Sequence, residues 1–223
     1  MLSNTIAIAP TDRWKLADPH IVPPLADQVS LGFYKNIPRR ALEISAELYY
    51  KKTRNQVEYR DRADLILNPL FETAVIQGEQ KGWGTEVLLK RNAGRLTGWM
   101  SYTYSRSLVQ VNGDNPWEKI NGGKAFPANH DKPHSFNFVG TLKISRRFSI
   151  SGNVVYSTGR PITYPTGIFN VSGETGIIYS GRNEYRIPDY FRADMSVNIE
   201  GNLLRKKLAH GSWMFSVYNI TGQ

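Results

Sequence analysis

The chain has 223 residues, 40% of them hydrophobic, with no cysteine and with 28 Lys and Arg against 19 Asp and Glu, a formal charge of +9. Lacking thiols, it holds neither a disulfide scaffold nor a thiolate metal site, and no apolar run reaches the ~20 residues of a transmembrane helix. A β-barrel needs only alternate apolar positions, so a membrane protein of that kind stays open.

Residues 1–10 include Ile6-Ala7-Ile8-Ala9 but neither a basic n-region nor an adequate h-region, so no secretory signal is recognisable. Residues 1–27, with Trp14, Pro19, Pro23 and Pro24, read as an irregular lead-in or external loop. From there apolar/polar alternation predicts strands near 28–35, 41–59, 82–90, 95–106, 134–144, 147–157, 190–199 and 213–219. In the second, Leu42, Ile44, Ala46, Leu48 and Tyr50 share one side while Glu43, Ser45, Glu47, Tyr49 and Lys51 share the other, because strand side chains alternate faces. In the fifth, Phe136, Phe138, Gly140, Leu142 and Ile144 oppose Ser135, Asn137, Val139, Thr141 and Lys143. After a tight turn, Phe148, Ile150, Gly152, Val154 and Tyr156 oppose Ser149, Ser151, Asn153, Val155 and Ser157. In the seventh, Phe191, Ala193, Met195, Val197 and Ile199 oppose Arg192, Asp194, Ser196 and Asn198. Each run approaches the ~9–11 residues that a tilted strand needs to cross a bilayer.

The joins alternate in length. Those near 36–40, 91–94 and 145–146 are tight; those near 60–81, 107–133 and 158–189 are long and rich in Gly, Pro, Asn and Asp. Short turns at one end and long loops at the other characterise outer-membrane barrels. Aromatic residues near the strand ends, at Tyr34, Tyr59, Trp83, Tyr102, Tyr104, Tyr156, Tyr190 and Trp213, suit a headgroup-level girdle. The basic residues scatter through turns, as at Arg39, Arg40, Lys51, Lys52, Arg146 and Arg147, instead of lining one helix face. That argues against a nucleic-acid partner and for solvated turns with some attraction to anionic lipid headgroups.

Little of the sequence carries reaction chemistry. His130 and His134 flank Asp131, but Pro133 keeps them off any helix face and no third strong ligand is near, so the segment reads as a loop end leading into a strand. Gly122-Gly123-Lys124 lacks the spacing of a phosphate cradle and reads as a turn. Neither an enzyme nor a cofactor nor a metal is expected. Binding residues belong in the long loops, where variable surface stands on a rigid scaffold. The candidates are Arg106, Asn112, Asp114, Trp117 and Lys119 in one loop, and Tyr179, Arg182, Asn183, Tyr185 and Arg186 in another. Their mixture of rings, amides and guanidinium groups suits sugars or peptides, and equally suits loops that pack on each other.

The stretches WKLADPHIVPPLADQVSLGFYKN (14–36), GRLTGWMSYTYSRS (94–107), GKAFPANHDKPHSFNF (123–138), FSISGNVVYSTGRPITYPTG (148–167) and RNEYRIPDYFRADMSVN (182–198) resemble, in order and spacing, the C-terminal barrel portion of TonB-dependent outer-membrane receptors, particularly those of Bacteroidetes. The resemblance implies a Gram-negative outer-membrane location and an all-β, antiparallel up-and-down barrel, about eight strands of a larger one, over 28–223. It also implies active nutrient uptake through a plug that TonB engages. No signal, plug, TonB-contacting segment or earlier strands are recognisable, and the final strand closing on an aromatic residue is not seen. The expected partners are therefore outer-membrane lipid, plug and barrel portions of the same receptor, the TonB system through that plug, and a substrate-binding lipoprotein. Two alternatives remain compatible with the alternation: a self-sufficient eight-stranded structural or lipid-binding barrel, and a soluble β ligand-binding protein.

Overall fold

A computed structural model describes residues 19–61, 63, 68, 70–171, 173–201 and 211–222. The expectations on 1–18, with Trp14 among them, lie outside the described residues. In chain order the strands are β1 (Leu25–Ile37), β2 (Leu42–Tyr59), β3 (Val75–Arg91), β4 (Leu96–Gln110), β5 (Phe126–Pro127), β6 (His134–Lys143), β7 (Phe148–Ser157), β8 (Pro161–Ile162), β9 (Pro165–Val171), β10 (Glu174–Tyr179), β11 (Tyr185–Arg186), β12 (Tyr190–Glu200) and β13 (Ser212–Val217).

Eight strands form an antiparallel meander in the order β1-β2-β3-β4-β6-β7-β12-β13. All eight predicted strands are present, and β1, β3 and β4 run further than expected at the long-join end, whereas β13 stops at Val217, short of the expected 219. β3 begins at Val75 and β4 continues to Gln110, which shortens the long joins to 60–74 and 111–133. The long joins also carry structure of their own, β5 and the two-stranded pairs β8–β11 and β9–β10. The lead-in ends sooner than expected because β1 starts at Leu25. Among the described residues no ladder joins β1 to β13, so the sheet is open.

The register carries the side-chain alternation across every strand. Leu96, Leu142, Ile150, Val197 and Phe215 form one transverse row, and Val29, Tyr50 and Trp83 begin another. Paired residues point to the same face, so one face is apolar from Leu31 and Leu48 to Phe215 and Val217, and its large side chains are exposed. The other face carries Glu47 beside Glu86, Ser101 beside Asn137, and Asn153 beside Asp194. Of the proposed aromatic girdle, Trp83, Tyr102, Tyr104, Tyr156 and Trp213 stand on the apolar face. Tyr34 and Tyr190 do not: they pair with Ser45 and Ser157 and so share the polar face.

Two backbone devices shape the sheet. Asn55, at φ 57, forms a bulge where the β2–β3 pairing shifts between Thr53 and Gln56. An extra residue reverses the facing of the β2 residues beyond it, so Val57 turns to the apolar side, where Val75 of β3 already stands, and both bury against Ile21. Gly98, at φ +143, lies so close to the Val139 carbonyl that a Cβ would overlap it. Gly98→Ala is expected to cost about 1–3 kcal/mol, the usual range for a side chain forced into such a conformation. A lowered urea midpoint for the chain folded in detergent micelles checks this, and an unchanged midpoint would contradict the strain.

Candidate functional site

The long-join end holds the fold's enclosed interior. Val109, Val111, Ile120, Phe126 and Ala128 bury one another, with Ile76 against them. Val109 and Val111 continue the polar-face parity of Ser105 and Ser107, and Phe126 pairs with Val109, so the 111–133 join folds over that face and covers it with apolar surface. Its route is fixed locally. Asn115 and Glu118 cap a short turn reciprocally, and Asn121 with Gly122 and Gly123 turns at positive φ, as expected of a Gly-Gly turn.

Asp131 is the hub of the polar interior. Its side chain is fully buried, and a buried carboxylate needs compensation on every lone pair. Arg186 Nη2 donates to Oδ2, and the Ser107 N–H donates to Oδ1 at 2.6 Å, joined by Arg106 Nε at 3.4 Å. The same Arg186 donates through Nη1 to the Asp131 carbonyl at 2.7 Å and the Gly159 carbonyl at 3.0 Å. Three residues earlier, Asn183 is buried at φ 56 and its amide donates to Pro127 O and Asn129 Oδ1, both at 2.8 Å. Arg182 donates to the Tyr59 carbonyl and to Asp61 Oδ1, each at 2.6 Å. Residues 182–186 thus fasten the third long join to both others.

Two cavities lie beside this network. One of about 800 Å³ is bordered by His20, Arg60, Glu72, Gln77, Gly113 and Glu118. Arg60 is held there by the carbonyls of Val75 and Trp117, at 3.2 and 3.0 Å. The other, about 200 Å³, opens on the polar face among Tyr49, Lys51, Gln80, Arg106, His130 and Asp131. Burial holds His130 below its ordinary pKa, Asp131 opposing that shift and Lys51 adding to it. At the far side, Asp189 is held low by the Tyr156 hydroxyl and the Gly159 N–H that donate to it. The chemistry on offer is hydrogen bonding and charge pairing at the mouths of these two open pockets.

The predicted loop residues divide into two groups. Arg106, Arg182, Asn183 and Arg186 converge, but on each other's loops, where their polar atoms are committed to the fold. Trp117, Tyr179 and Tyr185 remain on the surface, and Asp114 is exposed. Lys119 is half-buried and forms an isolated β-bridge with Asn112. His134 Nδ1 lies 2.8 Å from the Tyr102 hydroxyl, and Asp131 is taken by arginine, so the two histidines and the aspartate do not converge. Sequence reasoning missed His20, Arg60, Glu72 and Gln77, which become neighbours only through the β2–β3 bulge and the approach of the lead-in.

The family described as TonB dependent receptor-like, beta-barrel matches residues 9–220. No curated protein sequence matches the chain. Among solved structures it is similar to the ferric-catecholate import receptor Fiu of E. coli K12, at TM-score 0.59 and 16% identity over 99% of this chain and 27% of that one. It is also similar to the outer-membrane ferripyoverdine receptor of Pseudomonas aeruginosa, at TM-score 0.60 and 13% identity over 91% of this chain and 24% of that one. The chain thus spans about a quarter of the length of these receptors.

Proposed function

Since the chain belongs to the TonB dependent receptor-like β-barrel family, we propose that it is a stretch of the wall of an outer-membrane receptor for active nutrient uptake, with its apolar face against lipid and its polar face lining the lumen. The observation that carries this reading is the continuity of the apolar face across eight consecutive strands, in register, with large exposed side chains throughout. A soluble sheet would cover such a face with a second layer. The short joins then face the periplasm and the long joins the exterior. The unpaired β1 and β13 favour a part of a larger barrel over a self-closed one of eight strands. A plug and the rest of the barrel are the proposed intramolecular partners, TonB acts through that plug, and a substrate-binding lipoprotein meets the long-join end. The motif likeness favours a Bacteroidetes source.

In the uptake reading this stretch supplies wall and loops, and the moving part lies elsewhere. Exported behind a signal peptide, the 223-residue chain is expected to leave uptake-deficient cells unable to grow on a nutrient that the intact receptor imports. The same stretch joined to its natural upstream sequence is expected to restore growth. TonB-dependent rescue by the stretch alone would overturn the proposal.

A further inference from the structure

The net charge is distributed unevenly between the two ends of the sheet. Take each join at the short-join end with the three strand residues on either side. The β1–β2 join then holds Lys35, Arg39 and Arg40; the β3–β4 join Lys90, Arg91 and Arg95; the β6–β7 join Lys143, Arg146 and Arg147. Glu43 and Glu200 are the acidic residues facing them among the described residues. The same window at the long-join end holds eight basic and nine acidic described residues, a near balance. There the arginines are spent on the fold, as at Arg60, Arg182 and Arg186. At the short-join end Lys35, Arg39, Arg40, Arg95, Lys143 and Arg146 are all exposed, and among the described residues none has a side-chain hydrogen bond or ion pair.

We propose that the short-join end is a binding surface for anionic phospholipid headgroups, an inference that rests on the barrel-wall reading. The basic joins border the apolar face directly. Phe148, Ile199 and Trp213 form a transverse row on that face beside Arg146 and Arg147, with Trp213 71% exposed. A tryptophan at the edge of an apolar band with cations just beyond it matches the layering of a leaflet, in which hydrocarbon gives way to interface and then to phosphate. Three basic residues at each of three successive joins spread the charge along the rim of the wall, as a row of lipid headgroups requires. A compact polyanion would need it gathered at one point.

The test uses the whole chain in neutral detergent micelles. Circular dichroism first reports whether it forms β structure; native mass spectrometry then counts lipid retained from micelles doped equally with phosphatidylglycerol and phosphatidylcholine. Phosphatidylglycerol is expected to be retained in preference. Each basic residue near a surface is worth about fivefold in affinity, so Arg39→Gln/Arg40→Gln/Arg95→Gln/Arg146→Gln is expected to reduce the preference by about tenfold or more while the dichroism is unchanged. Raising the salt to ~1 M is expected to weaken it, since the screening length falls to ~3 Å. Equal retention of both lipids, or a preference untouched in the variant, would overturn the lipid surface and leave the wall reading standing. Tighter binding of soluble polyphosphate than of the lipid would overturn the choice of ligand. A chain without β structure in micelles would overturn the wall reading, and this proposal with it.

Discussion

Arginine at Leu142 or at Ile150 is expected to destabilise the sheet in a bilayer by about 2–4 kcal/mol each, the cost of a guanidinium near the midplane on a lipid-facing strand. The two residues are direct neighbours in the β6–β7 register, flanked by Leu96 and Val197, so neither has a polar neighbour in its row to share the charge. One position away, Thr141 and Ser151 pair on the opposite face, with their hydroxyl oxygens 2.9 Å apart. Arginine at either of these loses one hydroxyl bond and stands in a wet lumen, so the expected cost is about 1 kcal/mol. Urea unfolding from vesicles distinguishes the two sets. Equal damage would mean that both faces are dry, as in a small filled barrel.

The second large effect is expected at Arg186. Removing one partner of a buried ion pair strands the other, at about 3–5 kcal/mol. Asp131 would keep the Ser107 N–H and Arg106 on one oxygen and lose its partner on the other, which places Arg186→Ala near the lower end of that range. The Gly159 and Asp131 carbonyls lose their donor as well. Limited proteolysis is expected to cut the 158–189 join of the variant at rates that leave the parent intact. Tyr179→Ala, at a 56% exposed position on the same join, is expected to change stability by less than about 0.5 kcal/mol. If Arg186→Ala resists the protease as well as the parent does, the three joins are held together by something other than Asp131.

What sequence reasoning could reach was set by the range of each interaction. Period-two alternation is local, and it located all eight meander strands because Leu142 and Ile150, or Phe191 and Met195, declare their face without reference to anything distant. It stopped short at β3 and β4. Gln77 and Gly78 break the alternation, and their place in the sheet depends on the bulge at Asn55, whose positive φ no apolar pattern records. Tyr34 and Tyr190 read as girdle residues from their nearness to strand ends, yet the parity of their own strands turns them inward. In the loops the chemistry of Arg182, Asn183 and Arg186 was visible, but its destination was not, since Asp131 and Asp61 lie 55 and 121 residues away from their arginine partners. Groups suited to holding a ligand are equally suited to holding a loop. Here the carbonyls of Tyr59, Pro127 and Gly159 are what these side chains hold. The rings of Trp117 and Tyr185 stay exposed, and the open pocket beside Arg60 is left unfilled by these contacts.

The most direct test of the lipid-facing wall is a nitroxide scan along β6 and β7 in a bilayer, one label at a time over 135–143 and 148–157, recording collision with oxygen and with a water-soluble nickel chelate. The expected result is a period of two in antiphase. Labels at 136, 138, 140 and 142, and at 148, 150, 152 and 154, should meet oxygen, and those between them should meet nickel. Both signals should cross the β6–β7 turn without a break in parity. A scan in which the two probes rise and fall together, or in which the oxygen maximum falls on 137, 139 and 141, would contradict it.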